Sequence, residues 1–206
     1  MSIINTWIAG DHALVCVDTQ VADSNGNVGR ISKLFSLAHL HAVIAFRGAT
    51  VFAASTVGAV NAVGCPDFDT LIEGLPVILP HMVENTKKLL APHVEASALS
   101  SIDAAEVVVV GWSPRHERVK GVVWTQLTAA DGFQEREIDP YHISTWDPSF
   151  ERYGDPATTE AMLRLSAAQI RYLSVHEPEL HAGGSLIFAK LTQTAIMIWP
   201  IPLPAI

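Results

Sequence analysis

The order in which strand-like and helix-like segments follow one another constrains this chain most. Two β-branched, apolar runs, Ile3 to Ala9 and Ala13 to Thr19, flank Gly10-Asp11-His12 and read as a hairpin. After the turn chemistry of Asp23-Ser24-Asn25-Gly26-Asn27, Ser32 to Leu37 and Ala42 to Arg47 read as a second pair of strands around Ala38 to His41. Helical spacing starts after Gly48: Val51, Phe52, Ser55 and Val60 lie on or near one face, and the small Ala49, Ala53, Ala54 and Ala59 suit close packing. Gly64, Cys65 and Pro66 stop that helix. Asp67 or Asp69 caps a second one running to about Leu90, with Lys87 and Lys88 near its negative end, and Pro76 and Pro80 are expected to kink or divide it.

The second half repeats the alternation of blocks. Ala91 to Ser101 is a connection, and Glu106 to Trp112 is a short buried strand on the strength of four consecutive valines. Val119 to Leu127 follows the turn at Ser113 to Arg118, and Phe133 to Ile138 adds a strand after Asp131-Gly132, whereas Tyr141 to Tyr153 reads as irregular and aromatic. Asp155 and Pro156 are expected as N-cap and first residue of a long helix, carried by Ala161, Leu165, Ala168 and Tyr172 to about Val175 and ended by Glu177-Pro178. Gly183-Gly184 opens a strand through Lys190, and Thr194 to Trp199 is the last strand. Strands and helices in blocks argue against parallel βαβ winding. With no repeat or linker, residues 1–206 are expected to form one domain.

Composition narrows the partners. The chain is 49% hydrophobic and 17% charged, against about 25% charged in an average soluble domain. A membrane span is not the explanation: the most apolar tract, Thr194 to Ile206, is interrupted by Pro200, Pro202 and Pro204. The excess implies a thick core, a subunit interface, or both, with exposed helix faces and the Trp199 to Ile206 tail as expected contacts between copies. A net charge of −8 repels phosphate backbones and anionic lipid, so neither nucleic acid nor a membrane surface is an expected partner. The amino terminus has no basic region followed by a long apolar stretch, and a leader is not expected there. Two cysteines form no framework; Cys16, in an apolar run, reads as a small core residue, and a reducing, cytoplasmic setting fits.

Common catalytic signatures are missing from the sequence. His39 and His41 could share one strand face, but no HExxH or Cys/His pair completes a metal site, so no metal is expected. There is no G-x-S-x-G elbow and no Walker loop, and the glycines around Asn25 to Gly29 form no dinucleotide fingerprint; no cofactor is expected. Asp147, Glu151 and Asp155 read as solvated and capping charge.

The amino terminus carries more chemistry. Ser2 is small enough for Met1 to be removed, which leaves a hydroxyl and a free α-amine on one residue. An α-amine of pKa about 7.7 to 8.0 can take the hydroxyl proton as an imidazole does. A neighbouring ammonium would depress that pKa and stabilise an oxyanion, and a carboxylate would hold the ammonium. While Met1 stays attached, the Ser2 nitrogen is a peptide nitrogen and cannot be the base.

On these residues the chain resembles the proteasome β-type subunits and their bacterial relatives among the N-terminal-nucleophile hydrolases. The resemblance runs through Ser2-Ile3-Ile4, Ala13 to Gln20, Ser32-Lys33-Leu34-Phe35 and Val43 to Ala49. Asp18 follows Ser2 by 16 residues and Lys33 by 31, at or within one residue of the family's separations. It continues through the late helix into Glu179-Leu180-His181-Ala182-Gly183-Gly184-Ser185. The resemblance implies an α+β fold, a four-layer αββα sandwich of two mainly antiparallel sheets flanked by helices. It implies Ser2 as nucleophile, Lys33 as the buried amine beside it, Asp18 as that amine's partner, Gly48 as backbone donor to the oxyanion, and Glu179 at the late-turn aspartate position. The substrate would be a peptide or small amide, and the protein a homo-oligomer, with a ring as one form.

The chain also departs from the family. Serine replaces the usual threonine nucleophile, Gln20 a common arginine, Glu179 an aspartate, and Ala182 a serine; Ser144 could stand for another family serine. Two readings therefore remain: a hydrolase acting through an acyl-enzyme on Ser2, or an inactive member of the fold serving as an oligomeric scaffold or binding subunit. Within the second, Asp18 and Lys33 are simply a buried ion pair between neighbouring strands.

Overall fold

The computed structural model describes residues 3–22, 26–95, 99–177 and 181–203. Twelve strands and three α-helices occur among them: β1 (Ile4–Ile8), β2 (His12–Asp18), β3 (Gln20–Ala22), β4 (Val28–Arg30), β5 (Leu34–Leu37), β6 (Ala42–Arg47), α1 (Thr50–Val63), α2 (Phe68–Leu90), β7 (Ala105–Ser113), β8 (Arg118–Gln126), β9 (Gln134–Glu137), β10 (Tyr141–Ile143), α3 (Thr159–His176), β11 (Ser185–Thr192) and β12 (Ile196–Pro202). Every strand pairing is antiparallel. One sheet has the order β10-β1-β2-β11-β12, the other β5-β6-β7-β8-β9, and β3-β4 form a separate ribbon.

Period-two alternation sorts the side chains into three layers of core. On β2, Ala13, Val15 and Val17 face the other sheet, while Leu14 and Cys16 pack with Met162, Ile170 and Leu173 of α3. On β7, Val108 and Val110 enter the inter-sheet core; Val107 and Val109 pack under α1 and α2 with Phe52, Leu71, Leu75 and Leu79. A strand covered on both faces needs apolar residues at every position, which explains the four valines in a row. The result is an αββα sandwich: α1 and α2, two facing sheets, then α3. Among the described residues no helix is long and apolar enough to cross a membrane.

Several local expectations need correction. Helix α2 is continuous through Pro76 and Pro80, because both prolines lie on its exposed face, where the carbonyls that lose a partner can be hydrated. Asp67 is its cap, accepting from Thr70 N at 2.8 Å. Helix α3 begins after Thr158, whose hydroxyl accepts from Ala161 N at 3.1 Å; Asp155 and Pro156 lie before it. The segment from Tyr141, expected to be irregular, starts with edge strand β10, paired to β1. Of the expected Asp23 to Asn27 turn, residues 23–25 lie outside the described residues; Gln20–Ala22 before it and Val28–Arg30 after it pair as the short β3-β4 ribbon. His39 and His41 share no strand: His39 lies in the 3-10 turn Ala38–Leu40, and His41 caps it with φ of 49°. Of the expected Trp199 to Ile206 tail, residues 204–206 lie outside the described residues, and the part before them is partly inward. Trp199 stacks on Phe188 with centroids 5.8 Å apart, and Ile201 packs on the core beneath α3, leaving Met197 and Ile198 exposed.

Candidate active site

Asp18 ends β2 on the face that continues Leu14 and Cys16, and Lys33 lies just before β5 in the other sheet. The pair therefore bridges the two sheets; it does not join neighbouring strands, and Lys33 is not inside a strand as expected. Asp18 is fully buried and Lys33 is 5% exposed. Lys33 Nζ donates to both Asp18 oxygens at 3.0 Å and to the Gln20 carbonyl. Asp18 Oδ1 also accepts from Ile3 N at 3.0 Å, and Oδ2 from Gly183 N at 3.1 Å. One carboxylate thus gathers the lysine, the start of β1 and the turn before β11.

Burial dominates the acid–base behaviour of the pair. It pushes the Asp18 carboxyl above its ordinary value, against the pull of Lys33 and of the Gly183 and Ile3 N–H groups. It holds the Lys33 ammonium below the ordinary lysine value, against the Asp18 carboxylate. A lysine with a lowered pKa, kept by hydrogen bonds in one orientation, can tune a neighbouring amine or oxyanion.

The backbone around the pair is equally determined. Thr19 N and Gln20 N donate to the Gly183 carbonyl at 3.3 and 3.1 Å, and Ser185 N donates to Thr19 Oγ1 at 2.9 Å. Gly183 has φ of 146°, and a Cβ there would stand 2.9 Å from Gln20 Oε1, so the turn needs glycine. On the other sheet Phe46 N donates to the Lys33 carbonyl at 2.9 Å, which puts Lys33 two residues from Gly48. Gly48 has φ of 127°, and a Cβ would stand 2.9 Å from the Ala104 carbonyl oxygen. Both the backbone angle and the close approach to Ala104, just before β7, require a residue without a side chain there. Beside Gln20, a cavity of about 140 Å³ is lined by Leu173, Ser174, Glu177, His181 and Ala182.

Of the expected site residues, Asp18 and Lys33 are in direct contact and Gly48 lies near Lys33 along the β5-β6 pairing. Ser2 and Glu179 lie outside the described residues. Ala182 lines the cavity and presents no hydroxyl there. Ser144 Oγ accepts from Ile4 N at 2.7 Å, so this serine reaches the start of β1. Sequence reasoning missed Thr19, the Gly183 N–H and Arg47, whose Nη1 donates to the Ser144 carbonyl at 3.0 Å. The Gly-Gly dipeptide was a signal for the second; an arginine ending an apolar strand carries none. Cys16 is buried beneath α3, and desolvation pushes its thiol up to about 12, as befits an inert core residue. Among the described residues, no group of three or more His, Cys, Asp or Glu could hold a metal ion.

No known family's sequence profile matches the chain. No curated protein matches it. Among solved structures it is similar to an Anbu (Gly-1) mutant from Hyphomicrobium sp. strain MC1, with a TM-score of 0.65 and 10% sequence identity over 98% of this chain and 88% of that one. The likeness establishes the fold: the chain shares the αββα sandwich of that structure.

Proposed function

We propose that this chain is an amidohydrolase of the N-terminal-nucleophile type, one domain over residues 1–206, cleaving a peptide or small amide through Ser2 once Met1 is removed. The observation that carries the reading is Asp18: a fully buried carboxylate that holds Lys33 and, with the same oxygen, the N–H of Ile3, the residue bonded to Ser2. In this reading Ser2 Oγ attacks the amide carbon and its proton passes to the Ser2 α-amine, which returns it to the leaving amine; water then releases the acyl group as an acid. Lys33 lowers the pKa of the α-amine, Asp18 orients Lys33, the Gly48 N–H faces the oxyanion, and Glu179 supports the amine from the late turn. The reading needs neither a cofactor nor a metal. A homo-oligomer is part of this reading, and its contacts would cover apolar side chains left exposed on the helices, such as Val63, Val77, Leu89 and Val175. A reducing, cytoplasmic setting suits the free Cys16 and Cys65.

Intact mass first establishes Met1 removal; a serine-reactive acylating probe is then applied to the processed chain and to Ser2→Ala. The expected result is one adduct on the processed chain and none on the variant. No labelling, or equal labelling of both, refutes catalysis. It would favour the scaffold reading, whose supporting observation is Ala182, which offers no hydroxyl at the turn. Light scattering after size exclusion tests assembly, and a monomer counts against both readings.

A further inference from the structure

Strand β10 is three residues long and lies at a sheet edge, yet it is tied to the opposite sheet at three points. His142 Nδ1 lies 2.8 Å from Arg136 Nη2 on β9, and Nε2 lies 3.2 Å from Glu106 Oε1 on β7. A guanidinium only donates, so Nδ1 accepts and the ring is the neutral Nε2–H tautomer that donates to Glu106. Two residues on, the Ser144 carbonyl accepts from Arg47 at the end of β6. The β1-β10 register sets Asn5 opposite Ile143 and so Ile4 opposite Ser144. In a regular antiparallel pair those two residues would exchange both backbone bonds. Only one is made: Ser144 N donates to the Ile4 carbonyl at 3.0 Å. The Ile4 N–H goes instead to Ser144 Oγ, and the carbonyl it would have met is turned to the Arg47 guanidinium.

We propose that Arg47 is a positioning residue for the start of β1. By drawing the Ser144 carbonyl out of the ladder it hands the Ile4 N–H to the Ser144 hydroxyl, and this fixes the direction in which the chain leaves Ile4. Ile3 N is then presented to Asp18. A charged donor on a carbonyl in a half-buried setting holds that geometry more firmly than a neutral bond would. The catalytic consequence rests on the Ser2 reading; the structural one does not.

The test is amide hydrogen exchange at Ile3, by NMR on the full chain, for Arg47→Met, Arg47→Lys, Ser144→Ala and the double variant Arg47→Met/Ser144→Ala. Without Arg47 the Ser144 carbonyl is free to return to the Ile4 N–H, which stays bonded, and the chain before Ile4 swings so that Ile3 N leaves Asp18; Ile3 exchange in Arg47→Met is expected to rise by about tenfold or more relative to Val15 on β2. Arg47→Lys should restore most of the protection, and the double variant should exchange no faster than Ser144→Ala alone. Unchanged Ile3 exchange, an equal rise at Ile3 and Val15, or additive effects in the double variant overturns the proposal. If Arg47→Met does not fold, Arg47→Gln takes its place under the same criteria. A second arm follows acylation by the serine probe, where Arg47→Met should lower the limiting labelling rate about tenfold and leave the half-saturating probe concentration unchanged. A half-saturating concentration that shifts with an intact limiting rate overturns positioning. Failure of the unmodified chain to label overturns the Ser2 reading instead, and Ile3 exchange still decides the role of Arg47.

Discussion

Replacing Asp18 by asparagine isolates the charge at the centre of the site. The shape barely changes, but the Lys33 ammonium, 5% exposed, loses its counter-ion, and two buried N–H donors, from Ile3 and Gly183, meet an amide in place of a carboxylate. Breaking a buried pair by removing one partner costs about 3–5 kcal/mol. At about 2–4 °C per kcal/mol for a chain of this size, the melting temperature should fall by about 6–20 °C. Asp18→Asn/Lys33→Met removes both charges and should recover most of that loss, because an apolar replacement of a buried pair is often neutral. The pH dependence has a definite sign. Burial already holds Lys33 below its ordinary value, and the carboxylate that opposes this is gone in the variant, so its folded pKa falls further. Between that value and the unfolded pKa of about 10.4, the unfolded chain binds more protons than the folded one, and stability rises with pH. The deficit should therefore be full below the folded pKa and shrink toward pH about 10. Urea unfolding followed by circular dichroism across this range measures it. A loss under about 1 kcal/mol, the size of a surface pair, or no recovery in the double variant, would refute the reasoning.

Two further outcomes follow from the same geometry. Iodoacetamide applied to the native chain at pH 8 should modify Cys65, which is half-buried, and leave Cys16 untouched, since Cys16 is fully buried with its thiol pushed up to about 12; peptide mass mapping distinguishes the two, and Cys16 modified first would contradict the packing under α3. Gly48→Ala should destabilise the chain by about 1–3 kcal/mol, because φ of 127° is strained for alanine and its Cβ would press on the Ala104 carbonyl; unchanged thermal unfolding would show that β6 and β7 yield there without cost.

The layered fold was legible because periodicity is a local signal. The alternation on β2 and the unbroken valines of β7 state how many faces each strand buries, and the order of blocks excludes parallel winding. Ends were less legible. Asp155 and Thr158 are both acceptable caps, and the choice of Thr158 depends on where the segment after Phe150 docks, which is a matter of tertiary packing. Strands of three residues, such as β10 and those of the ribbon, leave too short a pattern to separate from a loop. For the site, the family resemblance pointed to Asp18 and Lys33, and the two side chains are in contact.

The sequence alone thus determined the faces, the blocks and the chemical inventory, since those depend on neighbours three or four positions away. That Asp18 and Lys33 join opposite sheets, that Gly183 and Ile3 converge on one carboxylate, and that Arg47 reaches the Ser144 carbonyl were decided only by tertiary structure. Those contacts span 15 to 165 positions of sequence, and nothing local selects one partner over another until the two sheets close on the core between them.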